Sequence, residues 1–166
     1  MPGKSRNRSV ASIRRGCAAD LDDLIELEAQ VFASDRMSRR SLRHFLAAPS
    51  ATVLIAEYAG RIAGCAVVLF RPNTSIARLY SIAVAPQRAG LGLGPALLAA
   101  SERAALARGR QTLRLEVHED NRRAISRYRK AGYRQFGCHD AYYADQGDAL
   151  RFEKKLTTTR LRRRRN

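Results

Sequence analysis

The sequence predicts a mixed α/β fold in which a central mixed β-sheet of about six to seven strands is flanked by about four helices. The first observation is that apolar runs of strand length alternate with longer segments whose apolar residues recur at helical spacing. The second is an early hairpin, predicted where Ala59-Gly60-Arg61 separates two strand-like runs. The third is that strand-like runs in the second half are followed by helical patterns. An early hairpin followed by strand–helix units favours a mixed sheet.

The elements follow in order from these patterns and from the residues at their ends. The predicted strands are residues 12–15, 52–58, 62–70, 78–84, 112–118, 133–136 and 149–153. The predicted helices run from a cap at Asp20 to Phe32, from Ser38 or Ser41 to near Pro49, over 93–108 with Gly109 as C-cap, and from Asn121 to Lys130 before Gly132.

Length and composition limit the class of protein. A chain of 166 residues is the size of one domain, and 45% hydrophobic residues are enough to form a core. We expect a domain over residues 12–156, preceded by a basic disordered arm at 1–11 and followed by an Arg-rich tail at 157–166. No apolar run reaches the ~18 residues of a membrane span, and the N-terminus leads into no apolar signal core. A cytoplasmic protein without membrane association is therefore expected.

The formal net charge of +16 is concentrated at the two ends of the chain. The basic residues there are Lys4, Arg6, Arg8, Arg14 and Arg15 at one end and Arg160, Arg162, Arg163, Arg164 and Arg165 at the other. Arginine runs attract phosphate polymers and acidic surfaces, so weak association with nucleic acid or a ribosome through these tails is one interpretation. Simple solubility tails are the other, and the sequence leaves both open.

The cysteines Cys17, Cys65 and Cys138 are odd in number and far apart. None stands at metal-ligand spacing from another, so we expect neither a metal site nor a disulfide framework. The prediction is that all three are small buried residues of a protein in a reducing compartment.

Residues 82–94 carry the strongest local signal for a ligand. An apolar run stops at Pro86, a glycine-rich turn follows, and a helical pattern begins. Free amides and the dipole at a helix start favour an anion, and glycines let it approach the backbone. The turn is not a Walker A loop, because Gly94 is followed by Pro95 rather than Lys, and its glycine spacing differs from the dinucleotide fingerprint. A phosphorylated ligand is predicted here, and a tight turn without a ligand is the alternative.

Two motifs resemble those of the GNAT superfamily of N-acetyltransferases. Gln87-Arg88-Ala89-Gly90-Leu91-Gly92 matches the superfamily's Gln/Arg-x-x-Gly-x-Gly/Ala loop for the acetyl-CoA pyrophosphate. Asn121-x-x-Ala124-x-x-x-Tyr128-x-x-x-Gly132-Tyr133 matches its Asn…Ala…Tyr…Gly-Phe/Tyr signature. Leu115-Glu116-Val117, Tyr142-Tyr143 and Gly147-Asp148-Ala149 further resemble the RimI-like branch, whose members acetylate the N-terminal amine of a ribosomal protein.

The resemblance implies a GNAT-like sheet, acetyl-CoA as co-substrate and no metal. It implies that Ile82, Ala83 and Val84 present backbone groups to the pantetheine arm, and that a backbone N–H near Ala83 stabilises the oxyanion. The implied cofactor-binding residues are Ile82, Ala83, Val84, Gln87, Arg88, Ala89, Gly90, Leu91, Gly92, Asn121 and Tyr128.

Acetyl transfer to an amine requires a neutral nitrogen, a stabilised oxyanion and protonation of the departing thiolate. In the strand at 112–118, Glu116 and His118 share the face opposite the apolar residues. Glu116 is the predicted general base, acting directly or through a water, with His118 in reserve. A solvated or ion-paired strand charge is the alternative for Glu116.

Tyr128 is the predicted general acid. Its helical spacing from Asn121 and Ala124 is by itself typical of a core aromatic, and the resemblance implies the catalytic role. Asn121 is predicted to contact the cofactor, to cap its helix, or to do both.

The acceptor is predicted to meet Arg36, Tyr142 and Tyr143, which lie in an early and a late loop. The expected function is acetylation of a primary amine, most simply the N-terminal α-amine of a protein or peptide, by a monomer or homodimer. Two alternatives remain. One is acetylation of a small-molecule amine such as a polyamine or an aminoglycoside. The other is a non-catalytic acyl-CoA-sensing or nucleic-acid-associated module.

Overall fold

The computed structural model describes residues 11–158. The strands are β1 (Ser12–Arg15), β2 (Ala51–Tyr58), β3 (Arg61–Phe70), β4 (Ile76–Val84), β5 (Thr112–His118), β6 (Arg134–His139) and β7 (Ala149–Lys155). The α-helices are α1 (Leu21–Val31), α2 (Arg39–Ala47), α3 (Leu93–Ala107) and α4 (Arg122–Lys130). The predicted arm up to residue 10 and the predicted tail beyond residue 158 lie outside the described residues.

The predicted mixed sheet is confirmed. Its seven strands are ordered β1-β2-β3-β4-β5-β7-β6. β4 and β5 are parallel, whereas β1 with β2, β5 with β7, and β6 with β7 are antiparallel. The predicted bounds differ from the observed ones at element ends. β4 begins at Ile76, two residues before its predicted start, and β6 and β7 end at His139 and Lys155, later than predicted.

The chain divides into two compact units. Of the described residues, the first comprises 11–67 together with Ser81–Ala100, and the second comprises Val68–Tyr80 together with 101–158. The fully buried side chains of the first include Leu24, Leu42, Ile55 and Leu97, and those of the second include Leu113, Leu115 and Phe152.

In the first unit, Asp20 occupies the predicted N-cap position of α1, but its carboxylate does not cap that helix. It accepts hydrogen bonds from the Arg14 guanidinium at 2.8 and 2.9 Å and from the Cys17 backbone N–H at 2.8 Å. Because the Arg14 hydrogen bond favours the charged form, the pKa of Asp20 is lowered to about 2. By contrast, Ser38 caps α2 by accepting the Ser41 N–H at 3.1 Å, which confirms the first of the two predicted starts.

The predicted hairpin between β2 and β3 is confirmed. Ala59 and Gly60 both have positive φ angles, 52° and 73°. Such angles give a two-residue turn the twist that matches the flanking strands.

The expectation that all three cysteines are buried is wrong for two of them. Cys65 is buried, and Cys17 and Cys138 are exposed. Burial raises the pKa of the Cys65 thiol to about 12, so this thiol is unreactive at neutral pH. Among residues 11–158, no helix has the length and apolar character needed to cross a bilayer.

Candidate active site

The glycine-rich loop lies in the first unit, between the end of β4 and α3. Pro86–Arg88 form one turn of 3-10 helix, and Gly90 and Gly92 follow with φ angles of 80° and 76°. A Cβ atom on either glycine would meet nothing within 4 Å. The backbone conformation, rather than a lack of space, is therefore what requires glycine at both positions.

This loop offers hydrogen-bond donors without acceptors. Within the described chain, no hydrogen bond is formed by the backbone N–H groups of Gly90, Leu91 and Gly92. The Arg88 guanidinium lies 4.8 Å from the centroid of the Tyr58 ring. Free amides at the start of a long helix, beside a cation, suit a phosphorylated group.

A close backbone approach fixes the end of β4 that leads into this loop. The Ala63 carbonyl accepts the Ala85 N–H at 2.8 Å. A Cβ atom on Gly64 would lie 2.8 Å from the Ala83 carbonyl oxygen and 3.0 Å from Leu97 Cδ1. Only glycine fits there without a shift. The sequence interpretation missed Gly64, because one glycine within an apolar run carries no local turn signal.

Glu116 is on β5, in the second unit. The predicted alternation is confirmed, since Leu113, Leu115 and Val117 are buried while the intervening side chains are partly exposed. The Glu116 side chain is 12% exposed, and its Oε2 accepts a hydrogen bond from Arg78 Nε at 3.1 Å. The carboxylate is thus nearly enclosed and ion-paired, as the alternative interpretation allowed, and it remains a candidate base.

Arg78 on β4 is the site residue that the sequence interpretation missed. Besides Glu116, it donates from Nη2 to the Tyr142 hydroxyl oxygen at 2.9 Å. Burial lowers the pKa of Arg78, but Glu116 and Tyr142 outweigh that effect and raise it overall. The available signal was the alternation of buried Ala77 and Leu79 with outward-facing residues on β4.

Tyr128 is on α4 and is 6% exposed. Its ring packs against Tyr133, with centroids 5.8 Å apart, and against Phe152, with centroids 6.5 Å apart. No described group hydrogen-bonds to its hydroxyl, and the oxygen is not among the fully enclosed unpartnered atoms. Burial raises the pKa of Tyr128 to about 12, so the hydroxyl holds its proton at neutral pH.

Asn121 caps α4, as one of its two predicted roles requires. Its Oδ1 accepts the Ala124 N–H at 3.2 Å. The residue is exposed at the start of the helix, where its amide NH₂ has no partner in the described residues.

His118, the predicted reserve base, is engaged by the late loop. Its Nδ1 accepts the Asp120 N–H at 3.1 Å, so the neutral ring carries its proton on Nε2, which lies 2.8 Å from Asp145 Oδ2. The ring also stacks on Tyr143, with centroids 4.9 Å apart. These contacts hold the loop against β5, and they give the His118 side chain a structural role.

The residues predicted to meet the acceptor lie in both units. Arg36 is in the first, exposed, with Nε donating to the Phe32 carbonyl at 2.5 Å. Tyr142 and Tyr143 are in the second, and their backbone N–H groups donate to the Gly147 carbonyl at 3.0 and 3.2 Å. Tyr142 is 46% exposed.

A buried carboxylate in the first unit was also missed. Glu28 on α1 is 2% exposed; Oε2 accepts the Met37 N–H at 3.0 Å, and Oε1 is enclosed without a partner in the described part of the chain. Burial raises the pKa of Glu28, opposed by the Met37 N–H and by Arg36. Its position four residues after Leu24 places it on the apolar stripe of the helix.

The sequence profile described as the Acetyltransferase (GNAT) family matches residues 18–133, more than half of the chain. The chain belongs to the GNAT acetyltransferase family.

Three relatives show how far the similarity extends. The putative ribosomal protein bS18-alanine N-acetyltransferase of Bacillus subtilis is 30% identical over 145 residues, which cover 86% of this chain and 94% of that protein. N-alpha-acetyltransferase RimI of Mycobacterium tuberculosis is 33% identical over 132 residues, covering 78% and 82%. Mycothiol acetyltransferase of Clavibacter michiganensis subsp. michiganensis is 39% identical over 125 residues, covering 70% of this chain. The chain spans only 40% of the length of that last relative.

Solved structures agree with the fold. The ribosomal-protein-S18-alanine N-acetyltransferase from Escherichia coli superposes with a TM-score of 0.81 at 25% identity, covering 90% of this chain and 96% of that one. Ribosomal-protein-alanine N-acetyltransferase from Brucella melitensis gives 0.76 at 25% identity, covering 87% and 99%. The predicted resemblance to the RimI-like branch is confirmed by these relatives and structures.

Proposed function

We propose that this chain is an acetyl-CoA-dependent N-acetyltransferase whose acceptor is the α-amine of a protein or peptide N-terminus. The observation that carries the proposal is the hydroxyl of Tyr128, which is nearly buried and has no partner in the described residues. A buried phenol normally hydrogen-bonds. An unpartnered one at the family's motif position therefore supports a role toward a bound substrate.

The glycine-rich loop supports the choice of donor. The free amides of Gly90, Leu91 and Gly92 are suited to the pyrophosphate, with Arg88 adding positive charge. Bound acetyl-CoA supplies the acetyl group as a thioester. The last residues of β4, Ile82 to Val84, are assigned to the pantetheine arm by the same proposal.

Glu116 is assigned as the general base. Its side chain is held on a rigid strand, and Arg78 occupies one carboxylate oxygen, Oε2. The other oxygen, Oε1, is left to take a proton from the attacking amine, directly or through one water. The ion pair fixes the orientation of the carboxylate. A base on a mobile side chain would lack this fixed orientation.

Tyr128 is assigned as the general acid. With its pKa raised to about 12 by burial, it is protonated at neutral pH and has a proton to donate from Oη to the departing sulfur. The helix cap at Asn121 fixes the start of α4, on which Tyr128 lies two turns further along.

An N-terminal acceptor matches a single modest base. An α-amine titrates near 8, whereas a lysine side chain titrates near 10.4, so the α-amine is far more often neutral at pH 7. The relatives from Bacillus subtilis and Mycobacterium tuberculosis carry names that specify alanine N-acetyltransferase or N-alpha-acetyltransferase activity, which supports this acceptor class.

The test is release of free thiol from acetyl-CoA with panels of N-terminal peptides, lysine peptides, polyamines and aminoglycosides. We expect turnover with N-terminal peptides, a loss of about 10²–10⁴-fold in Glu116→Gln and Tyr128→Phe, and retained CoA binding in both. Glu26→Gln, which changes an exposed carboxylate of α1, is the matched control and should not alter turnover. Unchanged turnover in both site variants would remove the assignment.

Acetylation of a small-molecule amine is the second candidate. The similarity to mycothiol acetyltransferase favours it, although the chain spans less than half of that protein. Turnover confined to the polyamine or aminoglycoside panel would select it.

A further inference from the structure

One face of the sheet in the second unit carries a dense row of arginines beside Glu116. The register places Arg151 on β7 directly opposite Glu116 on β5, and Glu153 opposite Arg114. Arg134 on β6 lies opposite Glu153 from the other side. Directly opposite residues of antiparallel strands project to the same face, so all of these side chains share one surface.

The charges on this face are not balanced. Among residues 11–158, the carboxylates that ion-pair with or lie opposite Arg78, Arg114, Arg134 and Arg151 are those of Glu116 and Glu153. Depth accentuates the difference: the two glutamate side chains are 12% and 13% exposed, whereas those of Arg78, Arg114 and Arg134 are 34%, 34% and 74% exposed. Solvent therefore meets guanidinium groups with the carboxylates beneath them.

Two of these arginines are held in place by one aromatic ring. The guanidinium carbons of Arg114 and Arg151 lie 4.5 and 4.6 Å from the centroid of the Phe136 ring. A guanidinium stacked on a ring loses little further freedom when it binds an anion. Lys155 is exposed and lies opposite Thr112, two register positions beyond the Arg114–Glu153 pair, so it continues the row on the same face.

We propose that this basic strip, formed by Arg114, Arg134, Arg151 and Lys155, binds an acidic segment of the acceptor polypeptide downstream of its N-terminal amine. The proposal rests on the proposed function, because it places the amine at Glu116. From the Glu116 register position to that of Thr112 the strand advances about 13 Å, at ~3.3 Å per residue. An extended peptide covers that distance in about four residues, so acidic side chains near positions three to seven reach the strip.

A short acidic peptide suits this surface better than a nucleic acid. The surplus is a few positive charges interrupted by two glutamates, which matches isolated carboxylates. Affinity for a phosphate backbone grows with the number of phosphates neutralised, so a surplus of a few charges favours a nucleic acid less.

The experiment compares acceptor peptides that share their first two residues and carry Asp/Glu, Asn/Gln or Lys at positions three to seven. With the full chain at low salt, we expect KM to be lowest for the acidic peptide and kcat to be similar for the acidic and neutral peptides. Raising the ionic strength should remove the difference between them.

The variants are Arg134→Gln and Arg151→Gln, singly and together. Both keep Arg114, so the Glu153 carboxylate retains an ion-pair partner in every variant. Each should raise KM for the acidic peptide about two- to fivefold and leave KM for the neutral peptide unchanged. Arg103→Gln, which removes an exposed charge from α3, is the matched control and should change neither value. Binding of fluorescent peptides by anisotropy gives the same comparison without turnover.

Turnover that does not depend on the charge at positions three to seven overturns this proposal and leaves the proposed function intact. Absence of turnover with every peptide contradicts the proposed function instead. The anisotropy series then shows by itself whether the basic strip binds the acidic peptide. Binding of a short oligouridylate that is lost in the double variant, with no binding of the acidic peptide, would assign the strip to nucleic acid.

Discussion

Arg78 Nε donates a hydrogen bond to Glu116 Oε2 at 3.1 Å, while Nη2 of the same guanidinium donates to the Tyr142 hydroxyl at 2.9 Å. One side chain thus fixes the candidate base and ties it to an exposed aromatic of the late loop. The planar guanidinium makes both bonds at once, which an ammonium group does not reproduce. Arg78 is therefore a positioning residue for Glu116 in the proposed reaction.

The first prediction concerns this geometry. Arg78→Met should lower kcat by about tenfold or more, since a misplaced base loses much of its contribution. The kcat of Arg78→Lys should lie between that of Arg78→Met and that of the original chain, because lysine restores the charge but only one of the two hydrogen bonds. The measurement is steady-state kinetics with one N-terminal peptide, with the unfolding midpoint recorded for each variant. Equal loss in Lys and Met variants, in proportion to lost stability, would indicate a merely structural role.

The second prediction concerns Gly64. An added methyl would lie 2.8 Å from the Ala83 carbonyl, and backbone cannot move aside as a flexible side chain can. Gly64→Ala should therefore lower the free energy of unfolding by about 1–3 kcal/mol, measured by urea denaturation. Gly137→Ala is the control, because its Cβ would meet Arg151 Cδ at an ordinary 3.5 Å. A fully stable Gly64→Ala protein would show that β4 tolerates displacement at this point.

Local signals were enough to predict most of the fold. The alternation of Leu113, Leu115 and Val117 with polar residues matched the bounds of β5, and Ser38 marked the start of α2. These signals act over a few residues, through side-chain periodicity and capping, and so they are visible in the chain itself.

The partners of the site residues could not be predicted in the same way. Arg78 and Glu116 are 38 residues apart, and their contact depends on the register of the parallel strands β4 and β5. That register pairs residues more than thirty positions apart in the sequence, which no local pattern encodes. Asp20 shows the same limit: its position was predicted, but its carboxylate turned to Arg14 on the preceding strand.

The third prediction concerns Asp20 and acid stability. Because its pKa is lowered from 3.8 to about 2 in the folded chain, Asp20 stabilises the fold above pH 4, and this contribution is lost as the pH falls toward 2. Asp20→Asn should cost about 1–2 kcal/mol at pH 7, and the difference from the original chain should shrink between pH 4 and pH 2. Urea denaturation at a series of pH values measures both.

Asp22→Asn is the matched control for that series. Asp22 pairs with Arg39 at 2.7 Å, but its side chain is 80% exposed. Exposed pairs contribute little, so the change should stay within about 0.5 kcal/mol at every pH. If both variants behaved alike, the hydrogen bonds from Arg14 to the enclosed Asp20 carboxylate would not be the source of the Asp20 effect.

The last prediction concerns Glu28, where the sign is opposite. Burial raises its pKa above the ordinary 4.5, so the unfolded chain ionises first and the carboxyl destabilises the fold as the pH rises through that value. Gln keeps an acceptor for the Met37 N–H and removes the ionisation. Relative to the original chain, Glu28→Gln should therefore be the more stable protein above pH 4.5, and its advantage should grow as the pH rises from there, read from urea denaturation. Glu26→Gln on the exposed side of α1 should show no such gain, and a flat difference for Glu28→Gln would mean that the buried carboxyl finds compensation for its charge.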